Sequence, residues 1–273
     1  MLVLRAALIT AATAFFLIGT TPAAAGTAQA LFDRAEAMRA QARYAEAEPL
    51  YLEALAIEER IFGMNRPETL PALNELSSLY HLQGRDRQAE PLCRRALEAA
   101  ERTLNPLDPK LAASLNNLAD VYRSTYRYVS AEPLYRRALA ILETRLGPAD
   151  SWVALILNKL ASLQVATRHY EEAGVLLRRA LDISEKSGGE STQVAGILYN
   201  IAVCAMDRGK YRDAEPYLLR SMRIAEAAPG EDGPAILRLL ENYALVLRKT
   251  RRASQAKQVD VRIAVLRQSR QQP

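Results

Sequence analysis

Apolar residues follow a helical period through most of the chain, and they do so in two alternating kinds of segment. The first kind has apolar residues at i, i+3 and i+6 or i+7, as in LNNLADVY from Leu115, which predicts one buried face of an α-helix. The second kind opens on a recurring alanine with the same period, as in AEPLYRRAL from Ala131. Joints rich in proline and glycine separate the segments, and strand signals are absent. The pattern predicts paired amphipathic helices and an all-α fold.

The recurring alanine marks an internal repeat. Its positions, with steps of 42, 42, 42, 41 and 42 residues, are Ala47, Ala89, Ala131, Ala173, Ala214 and Ala256. We place the units at about 28–66, 67–108, 109–150, 151–190, 191–232 and 233–269. One helix pair cannot bury its apolar face alone, so stacked neighbours are expected to form a continuous core. A second set of alanines on the first helices should also let helices approach closely: Ala119, Ala161, Ala202 and Ala244.

Turn and proline positions indicate where the helices begin and end. Within a unit, the chain is expected to turn at Gly84, Tyr126, Arg168 and Gly209. A proline follows the AE dipeptide in four units, at Pro49, Pro91, Pro133 and Pro216. We expect these prolines in the first turn of each second helix, where the missing N–H is not needed.

These segments resemble the tetratricopeptide repeat, in the 42-residue variety of kinesin light chains, whose pattern is close to LNNLAxxYxxxGxYxEAExLYxRAL. The resemblance covers roughly Gln29 to Gln268 and recurs six times. It implies a right-handed superhelical solenoid of about six antiparallel helix pairs. The end units depart from the pattern, because Phe32 and Asp33 replace the asparagines of the first, and Arg251 and Ala253 replace the turn glycine and tyrosine of the last. Atypical ends are expected of capping repeats.

The N-terminal 25 residues predict a secretory signal peptide. MLVLRAALITAATAFFLIG contains one basic residue, Arg5, followed by an apolar run that is short for a membrane span. Ala23 and Ala25 form an A-x-A cleavage site, and a second candidate ends at Ala30. We expect cleavage after Ala25 and a periplasmic or secreted repeat domain over residues 26–273. Retention of the segment as an uncleaved anchor is the alternative.

Composition and charge narrow the class of protein further. An apolar share of 49% and a charged share of 25% are typical of a folded chain. Cys93 and Cys204 stand at apolar repeat positions three units apart, which favours two buried free thiols over a disulfide. The net charge of +5 comes from the C-terminal end, where residues 237–273 hold nine Lys or Arg and two acids. A solvated capping helix is one interpretation, and contact with an anionic partner or a membrane surface is the other.

The sequence contains no pattern that indicates catalysis, a cofactor or a metal. His81 and His169 are the only histidines and lie two units apart, which supports neither a metal site nor a catalytic triad. Gly188 and Gly189 lack the strand and the Gly-Lys-Ser/Thr signature of a phosphate loop. The aromatic residues occupy core positions and are not available to stack on nucleic acid. We therefore expect a non-catalytic protein with no cofactor and no nucleic-acid ligand.

The resemblance also implies a binding surface, because first helices line a concave groove in such solenoids. The first asparagine position of each unit faces that groove and is filled by Asn74, Asn116, Asn158, Tyr199 and Glu241. The full predicted groove set is Asn74, Ser78, His81, Asn116, Asp120, Arg123, Asn158, Ser162, Tyr199, Met206, Arg248 and Lys249. It is polar in units two to four, apolar in unit five and basic in unit six.

The asparagines admit two interpretations. Asparagine competes for backbone hydrogen bonds in a helix, yet a ladder of its amides offers paired donors and acceptors to an extended peptide. Alternatively, the asparagines hydrogen-bond to neighbouring helices. Asn117, Asn200 and Asn242, one position later, are expected to have this structural role.

From these features we expect a non-catalytic scaffold that binds a protein or an extended peptide, acting as an adaptor or assembly factor after export. A peptide with an apolar anchor followed by acidic residues would suit the groove. A cytoplasmic or membrane-tethered regulatory scaffold is the alternative if the N-terminal segment is not cleaved. A non-catalytic subunit of an enzyme complex is the second alternative.

Overall fold

The computed structural model describes residues 22–228 and 233–269, and the fold of this part is all-α, as predicted. The first 21 residues of the predicted signal peptide lie outside it. Within it are twelve helices: α1 (Pro22–Ala40), α2 (Tyr44–Phe62), α3 (Leu70–Leu82), α4 (Asp86–Thr103), α5 (Pro109–Ser124), α6 (Tyr128–Leu146), α7 (Ser151–Ala166), α8 (Tyr170–Gly188), α9 (Thr192–Asp207), α10 (Tyr211–Ala227), α11 (Gly233–Lys249) and α12 (Ala253–Ser269). A short 3-10 helix (Pro67–Thr69) precedes α3. Two helices fall in each predicted repeat.

The chain divides into two compact units, which we call the N-terminal unit, up to Ile141, and the C-terminal unit, from Leu142. In the N-terminal unit, α1 packs on α2, α3 on α4, and α4 on α5. Its core includes Ala47, Ala89 and Ala131, each with no exposed surface. Because alanine projects so little, the second helix of each pair can lie close to its neighbours.

The C-terminal unit repeats this arrangement. Here α8 packs on α7, α10 on α9, and α12 on α11. Its core includes the recurring alanines Ala173, Ala214 and Ala256, together with Leu177 and Leu218 one turn later. The second set of alanines is buried as well, which confirms the prediction made from spacing: Ala119, Ala161, Ala202 and Ala244.

Each turn between the two helices of a repeat has one residue with a left-handed backbone conformation, always at the same repeat position. These residues, with φ between 57° and 73°, are Ala42, Gly84, Tyr126, Arg168, Gly209 and Arg251. The next residue donates its N–H to the carbonyl five residues earlier, as in Arg85 to Tyr80 at 2.8 Å, which is the Schellman ending of a helix. The four turns predicted from sequence are confirmed, although only two of the six positions have a glycine.

The prediction that the AE prolines occupy a first turn is wrong. The second helices begin three residues before the recurring alanine, so the four prolines lie inside α2, α4, α6 and α10: Pro49, Pro91, Pro133 and Pro216. The first turn is closed earlier, as in the bond from the Ala47 N–H to the Arg43 carbonyl at 3.1 Å. Each proline leaves the carbonyl four residues earlier without its helical donor. Those residues are exposed, as Ala45 shows, so water can hydrate the carbonyl.

Helix α1 begins at Pro22 rather than near residue 28, so the predicted cleavage point lies inside a helix. No helix-ending residue interrupts this stretch. The buried residues of α1 begin at Ala28, which is 2% exposed, and continue with Ala35. Among the α1 side chains whose burial the structure describes, those from Ala24 on, the buried ones therefore lie after Gly26.

Arginine–glutamate pairs join successive second helices at a fixed spacing. Counting the recurring alanine as position 1, an arginine at position 7 contacts a glutamate at position 13 of the preceding repeat. The pairs are Arg95 with Glu59, Arg137 with Glu101, Arg179 with Glu143, Arg220 with Glu185, and Arg262 with Glu226. Each partly exposed pair contributes about 0.2–1 kcal/mol, and their common spacing favours a single register between neighbouring repeats.

A second set of pairs joins the turns to the preceding repeat. Arg127 binds both oxygens of Glu90, at 2.9 and 2.6 Å, and its guanidinium carbon lies 4.2 Å from the ring centre of Tyr122. Arg85 pairs with Glu48 in the same way, and Arg252 pairs with Glu215 in the C-terminal unit; these hydrogen bonds lower the pKa of Glu48, Glu90 and Glu215. Bidentate, charge-assisted pairs of this kind are stronger than hydrogen bonds between neutral groups.

Gly84 provides a test of the left-handed turn. A Cβ added there meets no atom within 4 Å, so strain in φ alone should make Gly84→Ala destabilising, by about 1 kcal/mol. Gly196 is the control, because it also has open space but lies in α9 with ordinary helical φ. Gly196→Ala should therefore stabilise the protein by about 0.5–1 kcal/mol. Chemical denaturation of both variants measures this difference, and equal shifts would contradict the assignment.

Glu58 provides a test of burial. Its Oε2 is buried with no hydrogen-bond partner in the described part of the chain, and burial, with a smaller effect of Glu59, raises the pKa of Glu58 to about 7. The native state therefore prefers the protonated acid, and its penalty grows as the pH rises from 4.5 to about 7. Glu58→Gln should stabilise the protein by roughly 1–2 kcal/mol at about pH 8 and have little effect at about pH 4.

Glu59→Gln is the matched control for that substitution. It makes the same chemical change one residue away but removes the ion pair with Arg95, so it should destabilise the protein by about 0.2–1 kcal/mol near pH 8. Thermal melts across pH distinguish the two. A loss of stability in Glu58→Gln near pH 8 would show that the Glu58 carboxylate has a favourable partner.

Candidate functional site

The first helices of neighbouring repeats place the predicted groove residues on one face. In the N-terminal unit, α3 packs beside α5. Asn74, Ser78 and His81 are spaced by four and three residues along α3, and the residues at the same spacing on α5 are Asn116, Asp120 and Arg123. Such spacing puts side chains on one side of a helix. We call this surface the first-helix face of the N-terminal unit, and we use the same name in the C-terminal unit for the corresponding positions on α7, α9 and α11.

The Asn74 side chain points into the interface between the second and third repeats. Its side chain is 8% exposed, and its Nδ2 lies 3.1 Å from the Ser114 hydroxyl. Asn117 donates to the Asn74 backbone carbonyl at 3.3 Å. Because little of Asn74 reaches solvent, its amide joins α3 to α5 and offers little to a ligand.

The same register recurs in the C-terminal unit. Asn200 donates to the Oδ1 of Asn158 at 2.8 Å, and Asn242 donates to the Tyr199 hydroxyl at 3.0 Å. The structural role predicted for Asn117, Asn200 and Asn242 is confirmed. Asn158 and Tyr199 remain half-buried, so each combines a contact between repeats with an accessible surface.

Asn116 differs from Asn74 because its side chain stays partly exposed to solvent. It is half-buried, and its Nδ2 donates to the Oδ1 of the adjacent Asn117 at 3.1 Å. Ser78 and Ser162 are also half-buried on the first-helix face of their units. Asn116, Ser78 and Ser162 are therefore predicted polar groove positions that retain solvent contact.

Asp120 and Arg123 belong to a buried polar cluster around Tyr135. The Tyr135 hydroxyl donates to Asp120 at 2.5 Å, and both residues are buried. Burial, then the Asp120 charge, raises the pKa of Tyr135 well above its usual value. Burial opposes ionisation of Arg123, but Tyr135 and Asp120 outweigh it and raise the pKa of Arg123. Asp120 therefore acts chiefly as a structural acceptor, and Arg123 stays cationic.

Arg123 retains hydrogen-bonding capacity. Its Nε is buried and has no hydrogen-bond partner among the described residues, while the side chain as a whole is half-buried. The half-buried guanidinium can donate from its exposed part to an approaching carboxylate or carbonyl oxygen, whereas the buried Nε is shielded from solvent.

His81 is oriented by a carboxylate that the sequence did not single out. Its Nδ1 lies 2.7 Å from Asp86 Oδ1, and Ser124 donates to the other Asp86 oxygen at 2.7 Å. Asp86 thus joins the turn of one repeat to the end of α5. The bond to Nδ1 leaves the opposite ring nitrogen, Nε2, as the one for a ligand.

The predicted apolar and basic groove residues of the C-terminal unit differ in how much of their side chains they offer to a ligand. Met206 is 8% exposed and packs in the core with Leu218 and Met222, so it offers little surface. Arg248 is committed to an ion pair with Asp260 at 2.5 Å. Lys249 turns toward the adjacent intra-repeat turn, with its Nζ 5.9 Å from the ring centre of Tyr211. Tyr199, half-buried on α9, is the apolar position that stays accessible.

Both cysteines are buried free thiols, as predicted, and burial raises the pKa of Cys93 to about 11. In residues 22–228 and 233–269 no group of three or more His, Cys, Asp or Glu side chains is placed to hold a metal ion. None of the helices in those ranges is both long and apolar enough to span a membrane.

The stacked helix pairs define a helical repeat protein in which recurring polar side chains join neighbouring repeats. The sequence model of the tetratricopeptide repeat matches residues 26–102, 72–144, 110–186 and 193–260, and the chain belongs to this family. Proteins built from this repeat are generally non-catalytic scaffolds, which indicates a role in protein–protein interaction.

Solved structures with the same fold include kinesin-light-chain-like proteins. BtubC (BKLC) from P. vanneervenii is 23% identical, with 93% of this chain and 94% of that chain covered at a TM-score of 0.63. The Podosopora anserina putative kinesin light chain with nearly identical TPR-like repeats is 20% identical, covering 77% and 100% at 0.60. Aspartyl phosphate phosphatase F from Bacillus subtilis is 15% identical, covering 87% and 69% at 0.61. A search of curated proteins gave no match.

Proposed function

We propose that this protein is a non-catalytic scaffold that binds an extended peptide segment of a partner protein on its first-helix face. The observation that supports this is the distribution of exposure in the repeat. The recurring apolar positions are buried, whereas Ser78, Asn116, Ser162 and Tyr199 stay half-buried at one recurring face. Polar side chains held on rigid helices offer hydrogen bonds to a peptide backbone without first having to be ordered.

The chemistry of the face favours a peptide with an apolar anchor and acidic residues. In the N-terminal unit, the cationic Arg123 suits carboxylates. The Nε2 of His81, whose Nδ1–H donates to Asp86, can accept a hydrogen bond from a peptide N–H. In the C-terminal unit, Tyr199 and the half-buried Val203 form the apolar surface in place of Met206. Each unit therefore has its own preference: acidic residues suit the N-terminal unit, and an apolar anchor suits the C-terminal unit.

We also propose that the scaffold is exported and acts as an adaptor or assembly factor in the periplasm or outside the cell. The apolar run after Arg5 and the alanines at Ala23 and Ala25 support export. Burial of Ala28 supports cleavage at Ala25 rather than Ala30, because a cut after Ala30 would remove a core residue. A cytoplasmic or membrane-tethered regulatory scaffold is the alternative if cleavage does not occur, and a subunit of an enzyme complex is the second.

The binding face is tested by blocking it. Ser78→Tyr with Ser162→Tyr places a bulky side chain at one half-buried position in each unit, and we expect at least a tenfold loss in affinity for peptides selected on an array by the wild type. The matched control is Ser130→Tyr with Ser254→Tyr, the same change at exposed positions on second helices. Fluorescence anisotropy measures affinity, and circular dichroism melts verify folding.

Asn116→Ala is the milder second variant, expected to weaken binding about tenfold or less while keeping the melt cooperative. If the blocked face and the control bind the selected peptides equally well, the first-helix face is not the binding surface. If the array shows no preference for acidic residues beside an apolar anchor, the proposed peptide chemistry is wrong even where binding persists.

Export is tested by mass spectrometry of the mature N-terminus. We expect the chain recovered from the exported fraction to begin at Gly26. Ala25→Leu should leave the precursor uncut at that position, because the cleavage site needs a small residue there, whereas Ala30→Leu should be processed like the wild type. Recovery of the protein with Met1 in place would support the tethered alternative.

A further inference from the structure

A polar depression lies where the intra-repeat turns of the fifth and sixth repeats meet, in the C-terminal unit. We call it the turn pocket. It has a volume of about 470 Å³ and is lined by Gly209, Lys210, Tyr211, Arg212, Asp213, Lys249, Thr250 and Arg251. It is built from the two turns and the helix ends beside them, and it shares only Lys249 with the predicted peptide-binding positions on the first-helix face.

The pocket has a strong excess of positive charge. Four cationic side chains line it, namely Lys210, Arg212, Lys249 and Arg251, against the single acid Asp213, giving a net charge of 4 − 1 = +3. All four are exposed, and none has an ion pair within the part of the chain that the structure describes. Four like charges around one depression repel each other, and a bound anion removes that repulsion.

Two arginines close to the pocket differ from the four pocket cations, because each already forms an ion pair with a glutamate of another helix. Arg208 pairs with Glu171 at 2.6 Å, and Arg252 binds both oxygens of Glu215. Acidic residues close to the pocket are thus committed to contacts between helices. They are not available to neutralise the four pocket cations.

The repeat pattern explains why Lys210 is free. In the second, third and sixth repeats the residue after the turn is an arginine paired with a glutamate of the preceding repeat, as Arg127 pairs with Glu90. Lys210 occupies that position in the fifth repeat, but the glutamate is replaced by Gly174. The substitution removes a structural partner and leaves a cation at the edge of the turn pocket.

Arg251 reaches the pocket from a left-handed backbone position. Its φ is 64°, where the second and fifth repeats have Gly84 and Gly209. A bulky residue at such a position costs about 1–2 kcal/mol relative to glycine. The turn therefore places a guanidinium at the pocket where the fold itself requires no side chain.

We propose that the turn pocket binds a phosphate-bearing group. A phosphate carries about 1.5 to 2 negative charges on one compact centre with three strong acceptor oxygens, whereas a carboxylate carries one charge. Four cations from two short turns match the denser charge. The guanidinium groups of Arg212 and Arg251 present several N–H donors each, and such forks bind phosphate oxygens in pairs.

Two sources supply this chemistry, a free di- or polyphosphate and the headgroup of an anionic phospholipid. The test uses the full mature chain and three probes: inorganic pyrophosphate by calorimetry, vesicles of phosphatidylcholine with phosphatidylglycerol by co-sedimentation, and an oligoglutamate peptide as a carboxylate competitor. The pocket variant is Lys249→Gln with Arg251→Gln. The control is Arg145→Gln with Arg178→Gln, which removes two exposed cations of the same unit outside the pocket.

We expect pyrophosphate binding that weakens at least tenfold in the pocket variant, is unchanged in the control and falls with added salt. Vesicle binding with the same dependence on the variants, without pyrophosphate binding, assigns the phosphate to a lipid headgroup. Arg251→Gly is a second variant that relieves the left-handed backbone, so its loss of binding cannot come from unfolding. Three results would overturn the proposal. The first is absence of binding to both phosphate probes, and the second is equal binding by both double variants. The third is displacement by oligoglutamate that is as effective as displacement by pyrophosphate.

Discussion

The close approach of helices at the recurring alanine is the contact on which the rest of the structure depends. A helix pair in this chain has apolar side chains on more than one side and cannot cover them by itself. Alanine at position 1 of the motif brings the second helix near enough for residues such as Tyr51, Tyr135 and Leu218 to be enclosed. Replacing it with a larger side chain would separate the helices along their whole length, because the interior is close-packed and has little room to adjust.

Polar contacts then select one arrangement among those that burial allows. The position 7 to position 13 pairs recur at spacings of 35 or 36 residues, and asparagine amides connect first helices at spacings of 42 or 43. A slip of one helical turn between repeats would separate all of these partners at once. Apolar burial thus supplies most of the stability, while the repeated polar pairs fix how each repeat sits on the one before it within its unit.

Much of this was predictable from the sequence, since a spacing of 42 residues dictates where helices and buried alanines recur. The turns at Gly84 and Tyr126 followed from the same spacing. The predicted starts of the second helices were wrong because they were placed at the recurring alanine. The first turn is instead closed by a backbone hydrogen bond to the Arg43 carbonyl, and no side-chain pattern in the sequence indicates that bond. The candidate site was harder, because exposure of Asn74 depends on Ser114 and Asn117 in the next repeat. Periodicity identifies a face, but only the packed neighbour determines which of its side chains reach solvent.

The arginine–glutamate pairing also bears on how copies of the chain behave toward one another. The first repeat has Glu53 at the position where later repeats have arginine, and the last repeat has Gln268 where earlier ones have glutamate. Lys257 likewise replaces the glutamate that accepts a turn arginine. A second molecule stacked head to tail would find no complementary charge at either set of positions.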